Sequence, residues 1–494
     1  MQKVCVIGAG SSGIAACQVL AERGIAYDCF ELGSEVGGNW RYMNDNGQSS
    51  AYRSLHINTS RQIMEYASFP MSEAYPVYPG HAHIAHYFDA FVDHFGLRPS
   101  IRFRTEVVGV VPAGDKWAVT SRPRVTGGTG DSGVRAGTGG RLDGGDGDGS
   151  GDGDGRGDGD GRGDGAGRGF GDGGGDNDGG DVGDGDETGV YDAVLVANGH
   201  HWKPRWPRPG IAGVSAFEGV QIHSHDYRVP EPFADRRVLV LGIGNSACDI
   251  AVETSRVSRR TFLAMRRGAH ILPKHLFGTP TDHLTHSWLA KAPLAVQDRG
   301  LQLLLRLSRG RLADYGLPTP AHRVLAAHPT ISDDLLSRLS HGDITVKPAP
   351  RKADAGHVHF DDGSVEEIDT IIYCTGYDIA FPFLDDGLID FKDNDPGLYH
   401  RVAAPDRPGL YFIGLVQPLG AIMPLAEAQS HWVADLLEGG CALPGREEML
   451  DEIRAYRDRT ARRYVASSRH TIQVDARAYL RELAKERKRR AVPR

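Results

Sequence analysis

Two short glycine turns carry the clearest chemistry in this chain of 494 residues. The first is Gly8-Ala9-Gly10-Ser11-Ser12-Gly13, directly after the apolar run Val4-Cys5-Val6-Ile7. The second is Gly242-Ile243-Gly244-Asn245-Ser246-Ala247, directly after Val238-Leu239-Val240-Leu241. In such a turn the first glycine permits the bend and the second lets the backbone approach a pyrophosphate. The third, or an alanine in its place, lets helix and strand pack closely. The N–H groups and positive dipole end of the following helix then attract the phosphates. An acid ending the next strand reads the ribose hydroxyls, and Glu31 stands there in the first unit. The second unit carries Arg266 and Arg267 instead. An acid would repel a ribose 2′-phosphate, whereas a guanidinium pairs with it. The second turn is therefore expected to select NADPH over NADH.

Other residue groups are open to more than one reading. Gly37-Gly38-Asn39-Trp40 suits a plain turn with a surface aromatic and equally a bare wall beside a planar cofactor. Asn58, in Ile57-Asn58-Thr59-Ser60, reads from its neighbours as an Asx-turn residue. His223, His225 and Tyr227 alternate, which puts them on one face of an extended segment. No further metal ligand stands near them, and no metal site is expected. The six cysteines are scattered without a Cys-x-x-Cys pair. They read as small core residues in a reducing cytoplasm.

The elements that must position these groups follow from the pattern. Residues 1–31 read as strand, turn, helix and strand. Ile84–Phe95 is an expected amphipathic helix, and 101–108 and 116–120 alternate as antiparallel strands. Residues 126–189 form an insert with 30 glycines and a net charge of −11, so the chain's total of −8 leaves +3 elsewhere. Its composition predicts a disordered hairpin loop. The strand Tyr191–Ala197 resumes the meander. Trp202–Pro209 is a stiff crossing, and residues 447–489 are expected to be helical and polar. The fold class expected is α/β with two dinucleotide-binding (Rossmann-like) domains. The first is discontinuous and carries an added antiparallel β-meander. The domain ranges are 1–209, 210–335 and 336–494, the last returning to the first domain. No apolar run reaches the roughly 20 residues of a membrane span, and a soluble protein is expected. The basic stretch Lys485–Arg490 reads as a solvated helix end. Nothing points to nucleic acid, and a homodimer is left open.

One dinucleotide turn with a ribose acid and one with arginines imply a flavin reduced by NADPH. Phe217-x-Gly219-x-x-x-His223-x-x-x-Tyr227 resembles the fingerprint of class B flavoprotein monooxygenases, in the flavin-containing monooxygenase branch. The Baeyer–Villiger branch typically has tryptophan at the position of Tyr227. The resemblance also takes in Gly37–Trp40, Asn58-Thr59-Ser60, Val240–Ser246, Cys374–Tyr377 and Leu410–Gly420. It implies FAD and NADPH as cofactors, and O2 plus a small nucleophilic molecule as substrates. The implied reaction passes through a C4a-hydroperoxide that oxygenates amine nitrogen or sulfide sulfur, as in N,N-dimethylaniline monooxygenases. It further implies that Asn58 lies at flavin and nicotinamide as the catalytic side chain. Ser246 to Asp249 would lie near the NADP phosphates, and Gly38, Asn39, Trp40, Thr59 and Gln429 near the flavin. The fingerprint segment would couple the domains. The alternatives are a Baeyer–Villiger or amine N-hydroxylating enzyme, or an NADPH oxidase. A thioredoxin-type reductase lacks its cysteine pair here, and a nucleotide-binding scaffold built around the insert is a further class.

Overall fold

In the computed structural model of the chain, residues 2–124, 185–286, 292–385, 387–389, 391–464 and 471–490 are described. Val4 to Ile7 are apolar on both faces and so belong inside a layered structure. They form the centre of a five-stranded parallel sheet ordered Leu410–Phe412, Ala193–Val196, Lys3–Ile7, Ala26–Phe30, Ile101–Arg102. Val4 lies in register with Tyr27 on one side and Ala193 on the other. The helix Ser11–Glu22, buried from Ser12 to Leu20, covers one face and packs against Met423–Leu437. Trp432 of that second helix is fully buried. Leu410–Phe412 and Met423–Leu437 come from the far end of the chain, so the first layer system is discontinuous in sequence.

A second five-stranded parallel sheet is ordered Ile344–Lys347, Arg260–Ala264, Arg237–Leu241, Thr370–Tyr373, Val220–His223. Two of its strands lie beyond the boundary expected at 335/336. Thr370–Tyr373 is buried at all four positions and pairs directly with Val238–Leu241, and Ile344–Lys347 pairs with Thr261–Ala264. The antiparallel triplet Pro350–Ala353, His357–Phe360 and Val365–Glu367 brings Val358 and Phe360 into the apolar cluster of Leu239, Phe262 and Ile371. The second layer system therefore runs through Tyr373, because strands apolar on both faces must be covered on both.

The meander is Thr105–Ala113, Lys116–Pro123 and Glu187–Tyr191. Its last strand starts inside the range assigned to the insert, which otherwise lies outside the described residues up to Asp184. The strand expected over Tyr191–Ala197 divides at Asp192: Glu187–Tyr191 joins the meander and Ala193–Val196 joins the parallel sheet. The helical stretch expected over 447–489 is also interrupted. Gln473–Asp475 pairs with Gln417–Leu419 between the helices Arg446–Arg463 and Ala476–Glu486. The crossing at Trp202–Pro209 is tied to the return crossing: Lys203–Pro204 pairs antiparallel with Tyr377–Asp378, and Arg205 N donates to Gly376 O at 2.9 Å. No helix among the described residues is long and apolar enough to cross a membrane.

Candidate active site

At the first turn the glycines are demanded by space. Gly8 has φ +96°, and a Cβ there would lie 2.9 Å from Ala197 O. A Cβ on Gly13 would lie 1.8 Å from Gly8 O. The helix Ser11–Glu22 begins at Gly10 without a capping side chain or an acid in its first turn. Its positive end is thus left uncompensated by the protein, the condition under which a helix start takes a phosphate. Gly37 and Gly38 lie against this turn, with Gly37 N donating to Ala9 O at 3.0 Å and a Cβ on Gly38 placed 3.2 Å from Gly10 Cα. Asn39 Oδ1 accepts from both N and Oγ of Ser50, at 2.8 and 2.9 Å. Trp40 is half-buried against the first core. The buried Glu31 carboxylate accepts from Ala9 N at 2.7 Å and Gly33 N at 2.8 Å, while burial raises its pKa. Asn46 bonds the carboxylate as well, and the acceptor capacity that remains can take a ligand hydroxyl.

Gln429 has no accessible surface. Its Oε1 accepts from Gly414 N at 2.7 Å, and its Nε2 donates to the Tyr479 hydroxyl at 2.7 Å, which donates to His400 O at 2.5 Å. A Cβ on Gly414 would sit 1.9 Å from Ser12 Oγ. Gln429 therefore supports the backbone at Gly414, which packs against the first helix start at Ser12.

The second turn repeats the arrangement. Gly242 has φ +135°, and a Cβ there would lie 2.6 Å from Cys374 O. The helix Asn245–Thr254 starts at Gly244, again without a capping side chain or first-turn acid. Ala247 is fully buried where the third glycine would stand. Ser246 is half-buried, whereas Asn245 Oδ1 accepts from Ile331 N at 2.8 Å, so this amide fixes a neighbouring strand. Asp249 is turned to Tyr52, whose hydroxyl donates to Oδ2, and burial raises its pKa. This bond joins the two layer systems beside the second helix start. Arg266 and Arg267 follow the next strand, are exposed, and form no ion pair with another described residue.

The fingerprint segment departs from the extended form expected. Val220–His223 is the edge strand of the second sheet, and the chain then turns over residues 224–226, with Asp226 N donating to His223 O at 2.9 Å. The turn sends the side chains to different places. His223 and His225 lie edge-on to the Tyr377 ring at 5.4 and 6.0 Å. Tyr227 stacks on Phe233 at 5.6 Å and donates to Glu253 Oε2 at 2.6 Å. Burial, aided by His225, pushes the His223 pKa down to about 4. Gly219 is dictated by contact, since a Cβ there would meet Asp369 O at 2.5 Å and the buried Phe217 ring at 2.5 Å. No group of three or more His, Cys, Asp or Glu among the described residues could hold a metal.

Asn58 lies on the segment that bridges the two systems. Tyr52 reaches Asp249, Arg53 N donates to Arg228 O at 2.9 Å, and Ser60 N and Oγ both donate to Asp282 Oδ2 at 2.7 Å. An Asx-turn would require Ser60 N to bond Asn58, and that donor is taken by Asp282. Asn58 is half-buried and makes no side-chain hydrogen bond to another described residue. Thr59 is buried beside it. Tyr52, Asp282 and Glu253, which hold this junction, had no recognisable pattern in the sequence.

A family model for flavin-binding monooxygenase-like proteins matches residues 1–130 and 178–490. The chain belongs to this family. It is 34% identical to flavin-containing monooxygenase 5 of Oryctolagus cuniculus over 98% of this chain and 82% of that protein. It is 31% identical, over the same shares, to dimethylaniline monooxygenase [N-oxide-forming] 2 of Mus musculus. The solved S-allyl-L-cysteine S-oxygenase of Allium sativum superposes with a TM-score of 0.65 at 25% identity, covering 100% of this chain and 90% of its own. As a flavin monooxygenase the protein uses FAD, NADPH and O2 on a small molecule. The two glycine turns, each leading into an uncapped helix start, fit two dinucleotide pyrophosphates.

Proposed function

We propose that this monooxygenase oxygenates a soft nucleophile, the nitrogen of an amine or the sulfur of a sulfide. The observation that carries the reading is the junction itself. Asn58, whose side chain has no hydrogen-bonding partner among the described residues, stands on a segment buried in the first core through Ile57 and bonded to the second layer system through Tyr52 and Asp249. The names of the relatives, an N-oxide-forming monooxygenase and an S-oxygenase, agree with that substrate class.

In this reading Gly8, Ala9, Gly10, Ser11, Ser12 and Gly13 hold the FAD pyrophosphate, and Glu31 its ribose. Gly38, Trp40 and Thr59 line the flavin side, with Asn39 and Gln429 fixing the backbone behind it. Gly242, Gly244, Ser246 and Ala247 hold the NADPH pyrophosphate, Asn245 and Asp249 keep that helix start in place, and Arg266 and Arg267 pair with the 2′-phosphate. The bound flavin supplies two-electron transfer from NADPH to O2, delivering one oxygen atom to the substrate and releasing the other as water. The chain needs no nucleophile of its own. Asn58 Nδ2 donates a hydrogen bond at the reacting centre, and the segment from Tyr52 to Ser60 closes the junction against water. Phe217, Gly219, His223 and Tyr227 hold the second sheet's edge in register with this segment. Six cysteines without a disulfide agree with a reducing cytoplasm as part of this reading. Assembly as a homodimer accords with this reading and is checked by sedimentation.

Product analysis with NADPH, O2 and a panel of sulfides, tertiary amines and ketones tests the assignment. Sulfoxides and N-oxides are expected. Esters or lactones from the ketones alone would transfer the protein to Baeyer–Villiger chemistry, and NADPH oxidation without product would make it an oxidase.

A further inference from the structure

The helix Leu294–Arg309 ends in an arginine whose environment is unusual. Arg309 Nε and Nη1 are both sealed from solvent, and neither has a hydrogen-bond partner. No carboxylate pairs with it among the described residues, and burial pushes its pKa down to about 10. A basic residue in the last helical turn is ordinarily explained by the helix dipole. That explanation fits an exposed cation or one bonded to the terminal carbonyls, and Arg309 is neither. Arg309 is half-buried and its Nη2 is not sealed. A guanidinium with two desolvated, unpartnered nitrogens thus keeps one edge that an anion arriving with a ligand can reach, and such an anion would offset the cost.

The surroundings say which ligand. Met265 and Ile271 bracket Arg266 and Arg267, and both are buried in one apolar cluster with Leu312 and Leu317, which follow Arg309. Gly268 lies against the same segment, so closely that a Cβ would sit 2.2 Å from Pro318 O. His270 Nε2 is 2.8 Å from His322 O, and its ring is 5.2 Å from the His322 ring. Arg309 is near enough to His270 to help hold that imidazole neutral. The Tyr315 hydroxyl donates to Arg309 O at 2.7 Å and fixes the helix end. The Arg309 end of the helix is therefore packed beside the turn that carries Arg266 and Arg267.

We infer that Arg309 is a third cation for the 2′-phosphate of NADPH, contributed by a different element from the two arginines of the turn. The inference rests on the proposed role of Arg266 and Arg267 and adds a specificity-determining residue to that site. Exposed Arg266 and Arg267 attract the phosphate through solvent, where screening weakens them. Arg309 supplies a guanidinium already partly stripped of water, so its charge-assisted bonds discriminate more strongly between a phosphate and a hydroxyl.

The test uses the FAD-loaded full chain and measures binding of 2′,5′-ADP, 5′-AMP and inorganic phosphate by calorimetry. Arg309→Met fills the same space without charge and is expected to leave the ligand-free thermal midpoint unchanged or higher. It should weaken 2′,5′-ADP roughly 10- to 100-fold while leaving 5′-AMP unaltered, the loss expected for a charge-assisted bond. Arg309→Lys should recover part of the affinity. Unchanged 2′,5′-ADP binding in Arg309→Met, with a large loss in Arg266→Ser/Arg267→Ser, would overturn the inference and leave the turn arginines in place. Unchanged binding in both variants would remove the underlying reading as well. Equal competition by inorganic phosphate in wild type and Arg309→Met would also count against Arg309. If Arg309→Met does not fold, full 2′,5′-ADP affinity in Arg309→Gln, which keeps polarity without charge, would overturn the inference.

Discussion

Replacing Tyr227 by Phe isolates one hydroxyl at the junction. The Tyr227 ring is 1% exposed, stacked on Phe233 and edge-on to Tyr52 at 6.0 Å, so Phe keeps its packing. The change removes the 2.6 Å bond to Glu253 Oε2. Burial already raises the Glu253 pKa, so its carboxylate is poorly hydrated there. Bonds to charged groups contribute about 1.5–3 kcal/mol, and Glu253 is half-buried, so a loss of about 1–2 kcal/mol is expected. Asp249 lies one helical turn earlier on the same face and takes the Tyr52 hydroxyl. Loosening the Glu253 contact should therefore also loosen the Tyr52–Ser60 segment and raise NADPH consumption without product. Denaturant titrations of Tyr227→Phe, Glu253→Gln and the pair give a double-mutant cycle with a coupling on the order of 1 kcal/mol. Strictly additive losses, or a Tyr227→Phe protein as stable and as coupled as wild type, would refute the assignment of the hydroxyl.

Asn58→Leu should retain FAD and fold normally but lose oxygenated product at least 100-fold, consistent with the removal of a positioned donor; product formation at the wild-type rate would remove Asn58 from the reacting centre. Gln429→Leu leaves Gly414 N without its acceptor and Tyr479 without a donor, so FAD fluorescence titration should show weakened flavin binding, and full affinity would contradict the support role. His223 adds a pH dependence. Its folded pKa of about 4 lies below the ordinary 6.5, so the unfolded chain binds the extra proton and stability is lost as pH falls through that window. The loss is at most about 3 kcal/mol, and His223→Asn should show a shallower decline in melting temperature between pH 7 and 4.5 than wild type; parallel curves would refute it.

The dinucleotide turns were legible because their chemistry is local: glycine positions, a strand before and a helix after. The place of Arg266 and Arg267, exposed just after a strand, was legible for the same reason. The second sheet's limits were not legible, because Ile344–Lys347 and Thr370–Tyr373 read as buried strands wherever they pair, and only long-range register assigns them. The His223–Tyr227 alternation misled because a turn at residues 224–226 breaks the period that the one-face reading requires. Asn58 looked like a turn residue until Asp282, more than 200 positions away, was found on the donor that the turn would use. The resemblance puts Gln429 near the flavin, and only the folded contacts of its amide show that it supports the backbone at the helix start.

The central claim is that two bound dinucleotides deliver an atom of O2 to a nucleophile. The direct measurement is turnover of the FAD-loaded protein with NADPH and a methyl aryl sulfide under 18O2, followed by mass spectrometry of the sulfoxide. The account predicts one 18O atom in each sulfoxide and one NADPH consumed per product. An unlabelled sulfoxide, or NADPH consumed with no sulfoxide or N-oxide from any substrate, would contradict it.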